Sequence, residues 1–225
     1  MRESIRVAVV DDQLLFALGI RMQIDATDDL VCVGVASDGR AGLDLVRRER
    51  PDVVLMDLRM PVLDGLAATA ALRDDGDTSG GDVGRDAPRV VVLTTMRHDE
   101  AVRAAARAGA AAFLTKDARP DVLLATVRAA AAGEITGDTE DLLREFGSPP
   151  RGIDLDVDVL AVLTPRERET FLLVARGLTN AQIAEASFVS EATVKTHVRG
   201  VLAKLDLRSR LQVVVFAHER GLVRS

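Results

Sequence analysis

Short apolar runs alternate with amphipathic segments along the first part of the chain. The runs are rich in Val, Leu and Ala, as strands buried in a parallel sheet are, and cover residues 5–10, 30–36, 53–56, 90–93 and 111–114. Between them, apolar residues recur with helical spacing at about 13–26, 40–49, 65–73, 100–108 and 120–132. Five strand–helix units predict an α/β doubly wound, five-stranded parallel sheet.

Turn-forming residues interrupt this pattern in two places. Residues 74–88 are rich in Gly and Asp and predict an exposed, flexible loop. Residues 133–160 predict a linker, in which 139–146 is a candidate short helix that the Pro and Gly residues of 147–152 would end. The predicted organisation is therefore a first domain at 1–132 and a second at 161–225.

The second domain shows only helical patterns. Thr164, Pro165 and Glu167 form a helix-start signal, with a capping Thr, a Pro at the first position and a Glu at the third. Gly177 ends this helix. Three more helices are predicted at 180–186, from Ser190 to about 205, and at 208–220. The sequence thus predicts an all-α four-helix domain.

Composition and charge separate the two domains further. The chain has 225 residues, 48% of them hydrophobic, and a net charge of −6. Residues 1–163 carry 19 basic and 29 acidic side chains, whereas 164–225 carry 10 basic and 6 acidic ones, so only the second domain suits a polyanion. No apolar run approaches the roughly 20 residues of a membrane span, so no membrane partner is expected. The lone Cys32 forms no intrachain disulfide and reads as a buried hydrophobe, which fits a cytoplasmic location.

Five chemically active residues follow or end consecutive strands of the first domain. They are Asp11, Asp12, Asp57, Thr94 and Lys116. In a parallel sheet the carboxyl ends of the strands meet at one edge, which is where such folds bind ligands. Three carboxylates there need a cation, and an all-oxygen set suits Mg²⁺. A metal, a Lys and a hydroxyl can hold a phosphoryl group while an Asp attacks it. Any one of these acids alone would more simply be a solvated strand-end residue.

The sequence around these residues resembles a known family. The segments VVDDQ, PDVVLMDLRMPVLDG, VVLTT and AAAFLTKDA are similar to the signature segments of the receiver domain of two-component systems, over roughly residues 4–132. The resemblance implies a flavodoxin-like fold that accepts a phosphoryl group from a sensor histidine kinase. It implies Asp57 as the phosphoacceptor, and Asp11, Asp12 and the backbone carbonyl of Arg59 as further Mg²⁺ ligands.

The same resemblance assigns residues that respond to the phosphoryl group. Lys116 would contact the group, Thr94 would be the switch hydroxyl, and Phe113 the switch aromatic. An aromatic on a buried strand is also an ordinary core residue, and many receivers have Tyr at this position. Pro61 and Gly65 would shape the loop after Asp57.

The third helix of the second domain has two different faces when it is laid out at 100° per residue. One face forms an apolar stripe of Val194, Val198, Val201 and Leu205. The other presents Ala192, Lys195, Thr196 and Arg199. This polar face fits the major groove of DNA, although an ordinary amphipathic surface helix has the same pattern.

The surrounding segment narrows that choice. Residues 163–223 resemble, almost throughout, the LuxR-type helix-turn-helix domain of NarL/FixJ-type response regulators. The resemblance implies Lys195, Thr196 and Arg199 as readers of bases or phosphates. It also implies contacts with the DNA backbone from Thr179, Asn180, Thr193 and Lys204. The last helix, 208–220, resembles the family's dimerisation helix, so a homodimer is expected in the phosphorylated or DNA-bound state.

Three functional hypotheses follow. The first is a transcription regulator switched by phosphorylation of Asp57. The second is an atypical regulator whose DNA binding does not depend on phosphorylation, against which the intact set of acids, Thr94 and Lys116 argues. The third is a phosphatase with an Asp nucleophile. Such enzymes use an Asp-x-Asp motif, whereas here Arg59 stands two residues after Asp57, and the basic helical domain would have no role. We therefore expect no enzyme.

Overall fold

The chain divides into two compact units, Met1–Gly133 and Glu134–Ser225. The structure is a computed structural model that describes residues 4–77, 87–95, 99–134 and 157–222. None of the helices in these ranges is long and apolar enough to cross a membrane. The candidate helix at 139–146 lies outside the described residues.

The first unit is built on a five-stranded parallel sheet in the order β2-β1-β3-β4-β5. Its strands consist of hydrophobic residues because the sheet is covered on both faces. Their bounds are β1 Ile5–Val10, β2 Leu30–Ala36, β3 Val53–Asp57, β4 Arg89–Thr94 and β5 Ala112–Thr115. The doubly wound fold is confirmed, with β3 and β4 extending to include Asp57 and Thr94.

Five helices within the described ranges of this unit cover the two faces of the sheet. They are α1 Leu14–Asp25, α2 Gly39–Glu49, α3 Gly65–Asp77, α4 Asp99–Ala108 and α5 Pro120–Ala132. Buried residues of α1 and α5, such as Ile20, Ile24 and Val127, pack with one side of the strands to form a core. Helix α2 packs against β1 and β2, and α3 packs against β3 and α4.

The C-terminal boundary of α3 differs from the prediction. Residues 74–77 were expected to begin a loop, but α3 continues through Asp77. Asp and Gly lower the helix propensity by at most about 1 kcal/mol per residue, so a helix can extend through them. The rest of the predicted loop, from 78 to 86, lies outside the described residues.

Between residues 157 and 222, the second unit has four α-helices around its own core. They follow a short 3₁₀ helix, Val157–Leu160, and are α6 Pro165–Ala175, α7 Asn180–Ser187, α8 Glu191–Lys204 and α9 Arg210–Glu219. Their core includes Phe171, Ile183 and Val194, and the rings of Phe171 and Phe216 meet edge to face at 6.1 Å. The all-α four-helix prediction is confirmed.

Every one of these four helices begins at a hydroxyl side chain that accepts a backbone N–H. The capping residues are Thr164, Thr179, Ser190 and Ser209. Thr164 and Glu167 form the predicted capping box, and Thr179 forms a second one with Gln182. Since Ser209 is the cap, α9 begins two residues later than the predicted start at 208.

Candidate functional site

The register of the sheet brings the predicted residues to one edge. Val10 pairs with Met56, so Asp11 and Asp57 follow side by side on neighbouring strands. Thr94 pairs with Thr115, which places Lys116 next to the end of β4. The chain reverses its direction of winding between β1 and β3, where open α/β sheets bind ligands.

Lys116 connects the two buried carboxylates at this edge. Its Nζ lies 2.7 Å from Oδ2 of Asp11 and 3.1 Å from Oδ2 of Asp57. The three side chains are at most 7% exposed. Because these side chains are shielded from water, charges there interact more strongly than they would in solvent. The ammonium group of Lys116 can therefore bind an anion that reaches Asp57.

The carboxylates also suit a metal ion. Asp11, Asp12 and Asp57 each offer an oxygen, and these oxygens lie within 4.8 Å of one another. Oδ1 of Asp11 accepts the backbone N–H of Gln13 at 2.9 Å. Its Oδ2 is buried and accepts no hydrogen bond from the described residues, so only the ion pair with Lys116 holds it. An oxygen in this state, beside the exposed Asp12, fits a hard cation such as Mg²⁺.

Asp57 sits in a close-fitting turn. Burial raises the pKa of its carboxyl group, while a hydrogen bond from Lys116 and the backbone N–H of Arg59 act in the opposite direction. Gly65 follows this turn, and a Cβ at that position would lie 1.9 Å from the carbonyl oxygen of Asp57. The predicted role of Gly65 in shaping the loop therefore has a steric basis. Pro61 lies in the same loop, where its carbonyl accepts the N–H of Leu63 at 2.7 Å.

The two predicted switch residues are both buried. Thr94 is 6% exposed, and its carbonyl accepts the backbone N–H of Lys116 at 2.7 Å. Phe113 is 7% exposed. Its neighbours Ala112 and Leu114 belong to the core under α1 and α5, so Phe113 lies on the opposite face of the sheet. Their switching roles stay predictions.

Sequence reasoning missed one residue beside the site. The ring of Phe16 lies with its centroid 5.0 Å from Nζ of Lys116. Phe16 is partly buried in the first turn of α1. The sequence feature that could have identified Phe16 is an aromatic residue five positions after Asp11, in a helix that starts at the edge of the sheet with the acidic residues.

Helix α8 has the two faces that the sequence predicted. Val194, Val198 and Val201 are buried, whereas Lys195, Thr196 and Arg199 are exposed. The Thr196 hydroxyl donates to the carbonyl of Ala192, and Lys195 lies 3.6 Å from the carboxylate of Glu134. A cationic face with a hydroxyl is thus presented by one helix.

The residues expected to contact the DNA backbone have different surroundings. Thr179 caps α7, and the hydroxyl of Thr193 lies 2.9 Å from that of Ser190. Nζ of Lys204 lies 2.7 Å from the Glu167 carboxylate. Asn180 is only 2% exposed, accepts a hydrogen bond from Arg210 at 2.8 Å and donates one to Glu134 at 3.2 Å. Its side chain therefore joins α7 to α9 and does not face solvent.

The predicted dimerisation helix corresponds to α9, whose Val213 and Ala217 belong to the core of the second unit. Leu211, Val213, Val214, Val215 and Ala217 of α9 are all buried in the structure. Arg210 is buried as well, and burial lowers its pKa to about 10. The expected dimer surface on this helix stays a prediction.

Comparison with protein families agrees with both halves of this picture. Residues 7–128 match the response regulator receiver domain. Residues 161–217 match the bacterial regulatory proteins of the luxR family. The receiver match contains Asp11, Asp57 and Lys116, and the luxR match contains the whole of α8.

Full-length relatives have the same arrangement. The chain is 37% identical to the transcriptional regulatory protein YxjL of Bacillus subtilis (strain 168), over 99% of each chain. It is 34% identical to the nitrate/nitrite response regulator protein NarL of Escherichia coli (strain K12), over 98% of each. The crystal structure of the response regulator ChrA, from a heme-sensing two-component system, is 33% identical with a TM-score of 0.50, and the match covers 98% of this chain and 99% of ChrA. The chain therefore belongs to the NarL/FixJ-type response regulators, which join a receiver domain to a LuxR-type helix-turn-helix domain.

Proposed function

We propose that this response regulator binds DNA in a manner controlled by phosphorylation of Asp57. The observation that carries the proposal is the placement of Lys116 between Asp57 and Asp11, at 3.1 and 2.7 Å, in a shielded pocket. An anion-binding ammonium beside a buried carboxylate is what phosphoryl transfer to that carboxylate requires.

The chemistry follows from the positions of these groups. An oxygen of Asp57 attacks the phosphorus of a phosphohistidine on the partner kinase, and an acyl phosphate forms as the N–P bond breaks and the imidazole leaves. Lys116 neutralises charge on the transferred group. Asp11, Asp12, Asp57 and the carbonyl of Arg59 would hold Mg²⁺, which supplies positive charge to the phosphoryl oxygens. Thr94 and Phe113 would then respond to the new group.

DNA binding is assigned to the exposed face of α8. Lys195, Thr196 and Arg199 would enter the major groove, with Thr179, Thr193 and Lys204 nearer the phosphates. The burial of Asn180 supports a structural role for that side chain in place of a DNA contact. We expect a homodimer on DNA, in the cytoplasm.

The proposal is tested with the full-length protein and an Asp57→Asn variant. Acetyl phosphate with Mg²⁺ should add one phosphoryl group to the wild type and none to the variant. Asp52→Asn is a matched control, since Asp52 is exposed and precedes the opposite end of the same strand. DNA ligands are then selected from a random pool by the phosphorylated protein. Affinity for the selected DNA should rise with acetyl phosphate in the wild type and Asp52→Asn only.

Two outcomes would contradict the proposal. Full labelling of Asp57→Asn would show that another residue accepts the phosphoryl group. Equal DNA affinity with and without acetyl phosphate, in a labelled wild type, would favour the regulator that acts independently of phosphorylation.

A further inference from the structure

We propose that Phe16 is a positioning residue for Lys116, and that its ring holds the ammonium group at the phosphoryl site by a cation–π interaction. The inference deepens the proposed function and rests on it. None of the roles assigned above includes this side chain.

The geometry is that of a cation over an aromatic face. Nζ of Lys116 lies 5.0 Å from the ring centroid, inside the limit of about 6 Å for such contacts. The Lys116 side chain is 7% exposed, so little water competes for the ammonium. Cation–π attraction is strongest under these desolvated conditions.

The start of α1 ties the ring to the acidic cluster. The backbone N–H of Gln13 donates to Oδ1 of Asp11 at 2.9 Å, and the carbonyl of Gln13 accepts the N–H of Ala17 at 3.0 Å. Phe16 therefore stands in a helical turn anchored directly to one of the carboxylates that Lys116 contacts. The ring also packs against the core of the first unit, which limits its movement.

The ring differs from the other two neighbours of Lys116 in one respect. Asp11 and Asp57 are carboxylates that a metal ion would also engage, so a bound cation would compete with the ammonium for them. The ring is uncharged and would not bind the metal ion. It offers the ammonium an attractive surface whether or not the site is filled, so it would keep Lys116 beside Asp57 if Asp11 bound a metal ion.

A packing role alone makes a different prediction from a cation–π role. Packing depends on the size and shape of the side chain, whereas cation–π attraction depends on the electron density of the ring face. Fluorine atoms withdraw that density while changing the size of the ring little. A fluorinated series at position 16 therefore separates the two roles.

The experiment replaces Phe16 in the full-length protein by 4-fluoro-, 3,5-difluoro- and 3,4,5-trifluorophenylalanine, and by Leu. Initial rates of phosphorylation by acetyl phosphate are measured with saturating Mg²⁺. We expect a stepwise fall with each fluorine, and a loss of about tenfold in Phe16→Leu. The same series at Phe171, which is fully buried in the second unit, is the control and should leave the rate unchanged.

A second measurement does not depend on turnover. In metal-free protein, the ring current of Phe16 should shift the side-chain NMR signals of Lys116, and the shift should disappear in Phe16→Leu. The melting temperature of the fluorinated series should stay constant, as expected if packing is preserved.

The outcomes distinguish this inference from the proposed function. A flat rate across the fluorinated series, with a wild type that is phosphorylated normally, would overturn the role of Phe16 alone. A wild type that accepts no phosphoryl group would overturn the proposed function itself.

Discussion

The ammonium group of Lys204 lies 2.7 Å from Oε2 of Glu167, which joins the end of α8 to the start of α6. The same oxygen accepts the backbone N–H and the hydroxyl of Thr164, each at 2.8 Å. Gly200 makes room for the carboxylate, since a Cβ there would lie 2.4 Å from Oε1 of Glu167. One acid therefore caps a helix and positions the helix that we assign to DNA.

This arrangement predicts a pH dependence of stability. The hydrogen bond from Lys204, followed by those from Thr164, lowers the pKa of Glu167 from 4.5 to about 2. A carboxyl group with a lowered pKa in the folded state stabilises it fully above the unfolded value, and this contribution is lost as the pH falls from about 4.5 towards 2. At pH 6, Glu167→Gln should lower the melting temperature by a few degrees. The difference from wild type should shrink as the pH falls towards 3.

Calorimetry of the full chain at several pH values makes this comparison. Glu169→Gln is the control, because Glu169 is exposed on α6 and its carboxylate lies 2.8 Å from the guanidinium of the exposed Arg166. A difference between Glu167→Gln and wild type that is the same at pH 3 and pH 6 would contradict the assigned pKa.

Arg199 and Lys204 should differ in their effects on DNA binding. Arg199 is exposed on the polar face of α8, and its planar fork suits a bidentate contact with guanine. Arg199→Ala should cost about 1–3 kcal/mol of binding free energy and relax the preference at one base position. Lys204→Ala should weaken binding about equally for all sequences, and should also lower thermal stability through Glu167.

Titrations against a selected site and a scrambled site at two salt concentrations decide this prediction. Removal of one phosphate contact should reduce, by about one unit, the slope of the logarithm of the binding constant against the logarithm of the salt concentration. Equal losses of affinity from both substitutions, the same for both DNA sites, would mean that Arg199 contacts only the DNA backbone. Helix α8 would then enter the groove in a different orientation.

Gly65→Ala should displace Asp57. The added Cβ would lie 1.9 Å from the carbonyl oxygen of Asp57 and 3.0 Å from Cα of Leu58. Both are backbone atoms, so the main chain itself would have to shift to make room. Overpacking of this kind costs about 1–3 kcal/mol, so both stability and the rate of phosphorylation should fall. Gly19→Ala is the control, since a Cβ there meets nothing within 4 Å and a helical Gly→Ala change is stabilising. Normal phosphorylation of Gly65→Ala would show that the turn after Asp57 tolerates a different backbone path.

Removal of the metal should stop phosphorylation without unfolding the protein. The three carboxylate oxygens lie within 4.8 Å of one another, and the single ammonium of Lys116 is too little positive charge for three carboxylates and an incoming phosphoryl group. Excess chelator should therefore abolish labelling by acetyl phosphate, as should Asp12→Ala. Asp44→Ala, an exposed acid on α2, should be labelled normally. Undiminished labelling in chelator, with a circular dichroism spectrum unchanged, would show that the acidic cluster works without a metal.

The sequence predicted the features that arise from short segments. Asp11, Asp57 and Thr94 stand at the carboxyl ends of strands. In a parallel sheet that position alone places them at the same edge of the sheet. The capping box of Thr164 and Glu167 spans only four residues, so it can be read directly.

Pairings across long separations were not predictable in the same way. The contacts of Lys204 with Glu167 and of Arg210 with Asn180 span 37 and 30 residues. They depend on how helices cross, which a hydrophobic pattern does not specify. The end of α3 was also misplaced, because Asp and Gly lower the helix propensity without excluding a helix, and α3 continues through Asp77.

The hydroxyl caps of the four helices in the second unit have a consequence for how this unit forms. Each helix start is specified within four residues, by Thr164, Thr179, Ser190 or Ser209. Contacts that are local in sequence cost little loop entropy, and domains built from them fold fast. The second unit should therefore fold independently of the regulatory domain that is synthesised before it. A unit that folds independently can be joined by recombination to a different regulatory domain and still reach its native structure.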